Sequence, residues 1–173
     1  MMRSRSRMIP VLAAFAAVGM ILGYIESFIV LPVNVPGIRI GFANTACVMV
    51  LYLFGPFAAG TVQFVRVVLS ALLFGSPISL AYSLTGAAFS LVAMIAGKRF
   101  GFSVYGVSIL GAVFHNIAQT VTAVFFTGSI YVLMYIPALM IAGVLTGTLI
   151  GFLSDILMKR LRNVIINERE ELK

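Results

Sequence analysis

The sequence predicts an all-α polytopic membrane protein, a six-transmembrane-helix bundle that takes in nearly the whole 173-residue chain. Three observations predict it. Hydrophobic residues make up 61% of the chain and charged residues 10%, with a mean hydropathy of +1.12, more apolar surface than a soluble core of this length could enclose. The apolar residues fall in runs close to the roughly 20 that one bilayer crossing needs, separated by short breaks rich in Gly and Pro. Finally, Arg3, Arg5, Arg7, Lys98, Arg99, Lys159, Arg160, Arg162, Arg169 and Lys173 lie at the chain ends or in one short loop, all on one side in a six-span arrangement. This positive-inside bias places the protein in the cell membrane with both termini cytoplasmic. It also accounts for the net charge of +7 without nucleic acid as a partner.

The spans follow in order within a single transmembrane domain, 1–173. Span 1, residues 8–31, follows three arginines as a secretory signal would, but its length and the lack of a small-residue cleavage site predict a retained helix. It exits through Pro32-Val33-Asn34-Val35-Pro36-Gly37, which cannot continue a helix. Span 2, residues 41–54, is short for a 30 Å core and is expected to tilt or to be shielded by its neighbours. Gly55-Pro56 turns into span 3, residues 57–74, and Gly75-Ser76-Pro77 leads into span 4, residues 78–96. Span 5 covers 103–126. Span 6, residues 130–158, exceeds a bilayer's thickness and contains Pro137, which predicts a kink or a cytoplasmic extension. The charged tail reads as a short surface helix or a frayed end.

Small residues recur at helical spacing: Ala13 and Ala17, then Gly19 and Gly23, in span 1, and Gly143, Gly147 and Gly151 in span 6. Such stripes let helix backbones approach, either within the bundle or against another subunit. Span 1 is the expected docking face. Lone Cys47 lies in an apolar run and reads as a buried small residue.

Ionisable groups inside a bilayer are costly and point to function by default. Here they are Glu26 in span 1, Arg66 in span 3 and His115 in span 5, accompanied by Asn44, Gln63, Asn116 and Gln119, with Arg39 in or just beneath the outer loop. At 1.5 Å per residue from the cytoplasmic ends, Arg66 lies roughly 14 Å deep, His115 roughly 18 Å, Gln119 roughly 24 Å and Glu26 roughly 27 Å. The set therefore spans mid-membrane to the outer face, as a pocket open to the outside requires. Gln63 and Arg66 share one helix face, and His115 and Gln119 share another. Two arginines and an imidazole against one carboxylate favour an anionic ligand, such as a phosphate, diphosphate or carboxylate. The same residues also admit a purely structural reading, in which Glu26 and Arg66 neutralise each other and the amides bond backbone across helices. His115 alone fits a core histidine as well as a ligand contact.

Several chemistries lack their residues. The acidic residues are Glu26, Asp155, Glu168, Glu170 and Glu171, with no aspartate-rich cluster to hold magnesium and diphosphate. No Gly-rich phosphate loop precedes a lysine, so ATP hydrolysis would have to come from other subunits. One histidine and one cysteine offer no zinc or haem site, and no serine-hydrolase triad can be assembled. The expectation is a protein without enzymatic activity, metal or cofactor.

The segment Pro36-Gly37-Ile38-Arg39-Ile40-Gly41-Phe42-Ala43-Asn44, Arg66, and Gly111-Ala112-Val113-Phe114-His115-Asn116-Ile117-Ala118-Gln119 resemble the membrane family called heptaprenyl diphosphate synthase component I. That family is also described as a transporter group similar to the substrate-binding S components of energy-coupling factor (ECF) transporters. The resemblance covers about residues 8–158. It implies a six-helix bundle of the ECF S-component type that captures a small molecule from outside. Its implied partners are membrane lipid, a transmembrane coupling protein and ATPase subunits. It further implies Arg39, Asn44, Arg66, His115, Asn116 and Gln119 as ligand-facing positions and Ala13 and Ala17 as the contact with the coupling protein; Glu26 and Gln63 join the site on physical grounds alone. The expected substrate is vitamin-like or isoprenoid-related. The enzyme label implies instead a noncatalytic membrane subunit that supports heptaprenyl or polyprenyl diphosphate synthesis.

Overall fold

The computed structural model describes residues 2–28, 41–74 and 77–171, with side chains described within 8–25, 28, 41–73 and 77–161. Among the described residues there are six α-helices: α1 Met2–Ser27, α2 Phe42–Leu53, α3 Pro56–Phe74, α4 Pro77–Arg99, α5 Val104–Thr127 and α6 Ile136–Glu171. Five are long and apolar enough to cross a membrane, and α2 is the exception. The chain is thus a multi-pass membrane protein. Tight turns join α2 to α3 at Gly55 and α4 to α5 at Gly101, both with positive φ that a side chain would disfavour. Ser103 caps α5, its hydroxyl accepting from the Gly106 amide, and Gly128 in the left-handed region ends it.

α2 sets the architecture. It has twelve residues, about 18 Å of helix, too short for a lipid-facing crossing. Nine consecutive positions, Ala43 to Leu51, are buried, so over that stretch the helix is enclosed on every side. α1, α3 and α6 surround it and α5 touches it. Shielding by neighbours, one of the two expectations for span 2, is the arrangement found. The apolar core forms around Cys47, Val48, Val50 and Leu51 of α2, with Ala59 and Val62 of α3, Met94 of α4, Val107 of α5 and Ile150 of α6.

α5 lies between α4 and α6 and packs closely on both. Along α6, Gly143, Gly147 and Gly151 face α5. A Cβ at Gly147 would lie 2.6 Å from the Ile109 Cα, and one at Gly151 would lie 2.9 Å from the Tyr105 Cα. The span 6 stripe therefore serves packing within the chain. α1 packs only on α2 and α3 among its stronger contacts, and most of its surface is exposed.

Span 6 differs from its expected form. Residues Ile130–Tyr135 make a 3₁₀ turn and α6 starts at Ile136, so Pro137 sits in the first helical turn and not in a helix interior. There its missing N–H has no intrahelical acceptor to lose, and the expected kink is unnecessary. The excess length becomes an extension, since α6 continues to Glu171. The last residues of span 1 and the Pro32–Gly37 loop lie outside the described residues.

A lysine read from sequence only as a topological marker has a second role. Lys98 Nζ donates to the Leu51 carbonyl in the last turn of α2 at 2.6 Å and lies 4.8 Å from the centre of the Tyr52 ring. The Tyr52 hydroxyl donates to the Phe102 carbonyl at 3.2 Å. A cation thus satisfies a carbonyl at the negative end of α2 and ties it to the turn between α4 and α5.

Candidate functional site

The polar residues of the bundle form two groups, one on α2 and α3 and one on α4 and α5. In the first, Gln63 and Arg66 lie three residues apart on α3, and both side chains turn the same way. Arg66 Nη2 donates to Gln63 Oε1 at 3.0 Å, and Gln63 Nε2 donates to Asn44 Oδ1 at 3.4 Å. The two amides are buried and the guanidinium half-buried. The first bond is charge-assisted and orients the Gln63 amide, which leaves its nitrogen to face α2. The arginine's aliphatic stem passes α1 beside Gly19.

In the second group, His115 and Gln119 lie one turn apart on α5 and rest against Gly86 of α4. Both are half-buried. Towards the far end of the same helix pair, the hydroxyls of Thr85 and Thr122 are 2.8 Å apart, and Tyr82 stacks on Phe126 with ring centres 5.7 Å apart. Asn116 does not join them. One residue on from His115, about 100° around the helix, its amide nitrogen donates to the Leu139 carbonyl of α6 at 2.9 Å. It is buried, and that bond ties α5 to α6.

The structure therefore gathers Asn44, Gln63 and Arg66 into one hydrogen-bonded chain and sets His115 beside Gln119. Arg39 and the side chain of Glu26 lie outside the described residues. Ala13 and Ala17 are exposed on α1, whereas Ala16 and Gly19 are buried against the bundle. Gly86 and the threonine pair lie beside these polar residues without having been selected in the sequence reading, and Gly19 was selected there only as a packing position. Glycine and threonine are common in membrane helices, so only the facing side chains single these out. Among the described residues no three His, Cys, Asp or Glu side chains gather as a metal site would require.

This arrangement can bind and orient. A guanidinium and an imidazole offer donors for an anion, and the amides offer both donors and acceptors. A family model described as heptaprenyl diphosphate synthase component I matches residues 15–157. No curated protein matches the sequence. Among solved structures, the chain resembles one described as the S component of a bacterial ECF transporter, with a TM-score of 0.73 and 18% identity, covering 93% of this chain and 98% of that one. At that identity the likeness establishes a shared fold, the S-component bundle.

Proposed function

The chain belongs to the heptaprenyl diphosphate synthase component I family, and we propose that it acts as the substrate-binding subunit of an ECF-type importer, capturing a small anionic molecule from outside. The observation that carries this reading is the Arg66–Gln63–Asn44 chain, a charged group anchored by buried amides inside a bundle with the S-component fold. Keeping a guanidinium in a membrane interior is costly, and an anionic ligand would repay it. Arg66 and Arg39 hold the anionic group, His115 and Gln119 orient the remainder, and Asn44, Gln63 and Asn116 fix the donors and helices around them. Glu26 balances the positive charge. The ligand is vitamin-like or isoprenoid-related, and the termini face the cytoplasm.

In this role the protein has no enzymatic activity and depends on a transmembrane coupling protein and ATPases, which meet α1 at Ala13 and Ala17. Vesicles containing the chain with those partners should take up the ligand only when ATP is supplied. Arg66→Ala should weaken ligand retention by about 10–100-fold, the loss of one charge-assisted contact. Uptake by the chain alone, or retention unchanged in Arg66→Ala, would refute the reading.

The family's description favours a second reading, a noncatalytic membrane subunit that supports heptaprenyl diphosphate synthesis. Affinity purification of the tagged chain from its own cells discriminates the two. Importer function brings down a membrane coupling protein and ATPases, whereas the second reading brings down a soluble synthase rich in aspartates.

A further inference from the structure

Arg66 and His115 each lie against a glycine from a neighbouring helix, and we infer that Gly19 and Gly86 are positioning residues that hold these two side chains in place. The inference rests on the reading of the polar interior as a ligand site. A Cβ at Gly19 would lie 2.8 Å from Arg66 Cδ, with the Ala46 Cβ and Ala43 carbonyl oxygen at 3.3 and 3.4 Å. A Cβ at Gly86 would lie 2.7 Å from His115 Cε1, 2.8 Å from its Nδ1 and 3.0 Å from Gln119 Cγ. Carbon atoms in packed interiors settle near 3.5–4.0 Å, so the space each glycine leaves is already filled by the facing side chain.

Among the other glycines whose Cβ would come below 3.0 Å, Gly147 and Gly151 meet backbone first, which is helix packing, and Gly97 and Gly111 meet Leu110 and Met94, which are apolar; Gly143 stands off the Asn116 amide at 3.2 Å. Gly19 and Gly86 instead stand under the guanidinium stem and the imidazole. They come from α1 and α4, so each basic side chain is fixed by a helix other than its own. A side chain filled against a rigid helix has few rotamers left, which is how a binding group is held ready for its ligand.

The test uses the full chain in lipid nanodiscs, without ligand. The chain has a single histidine, so its imidazole signals in nuclear magnetic resonance belong to His115 alone. Gly86→Ala should move those signals. Gly60→Ala, whose Cβ would make only an ordinary 3.4 Å contact with Leu91, should leave them unchanged. Thermal unfolding supplies the second readout. Gly86→Ala should lower the midpoint by roughly 5 °C in the native background and by clearly less beside His115→Ala, where only the Gln119 contact remains, and Gly19→Ala should behave the same way with respect to Arg66→Ala. An unmoved imidazole, or thermal losses equal in both backgrounds, overturns the inference. Should Gly86→Ala fail to fold, the double variant with His115→Ala decides, since a seat requires that it fold. Anion capture is read separately, by adding pyrophosphate to the native protein and following the same imidazole. A null result there counts against the proposed function and leaves the ligand-free result on the two glycines intact.

Discussion

Single side chains in this protein act across helix boundaries. Arg66 reaches Gln63 on its own helix and, through it, Asn44 on α2, while Asn116 leaves its polar neighbours to bond the Leu139 carbonyl. Lys98 is the clearest case, because its ammonium closes the end of a helix 47 residues away in sequence. Lys98→Met keeps the stem and removes the charge, leaving the Leu51 carbonyl without its donor. The expected loss is about 1–2 kcal/mol, read as a lower thermal midpoint, with Lys98→Arg falling between the two. The charge of Lys98 was legible as a positive-inside marker. Its partner was not, since nothing in the local sequence ties residue 98 to residue 51.

Among the elements, α2 and the α5–α6 pair behave in opposite ways. α2 has few residues and is enclosed from Ala43 to Leu51, so its apolar residues there are core and not membrane surface. Its shortness was plain from Gly41 to Gly55 and left two outcomes open, a tilt or shielding by neighbours, because such a helix cannot reach across a bilayer alone. α5 and α6 instead meet through a glycine stripe along which backbones nearly touch. Gly147→Ala should destabilise the protein by about 1–3 kcal/mol, because backbone atoms of Ile109 cannot step aside. Gly60→Ala in α3 should be neutral or slightly stabilising, since it gains helix propensity against a yielding leucine. Comparing the two midpoints checks the distinction, and a Gly147→Ala protein as stable as Gly60→Ala would contradict it. The stripe could be seen in sequence, but its spacing fits an internal neighbour and an external one equally well.

For the whole molecule, α1 is the asymmetric element. Its inner face, with Ala16 and Gly19, packs against the bundle, and its outer face leaves Ala13 and Ala17 exposed among apolar residues such as Val18 and Ile21. Two small-residue stripes on one helix thus look in different directions, one taken up within the chain and one open. If the open stripe is where the coupling protein sits, Ala17→Trp should leave the thermal midpoint of the isolated chain unchanged, because Ala17 is exposed among the described residues. It should also abolish co-purification of that partner. Full recovery of the partner with Ala17→Trp would move the docking face elsewhere.

What the sequence by itself determined is what depends on solvent and on local backbone chemistry. Hydropathy and charge placement decide that the chain is embedded in lipid and how many times it turns, and glycines and prolines mark where. The polar residues worth attention, Asn44, Gln63, Arg66, His115 and Gln119, were legible too, because hydrocarbon makes each an exception. Only the tertiary structure decided which of them meet, that Asn116 faces α6, that α2 lies inside, and which glycines receive side chains and which receive backbones. The physical reason is that burial energy fixes a residue's depth, whereas its neighbours are fixed by the rotation of each helix, which short-range sequence does not encode.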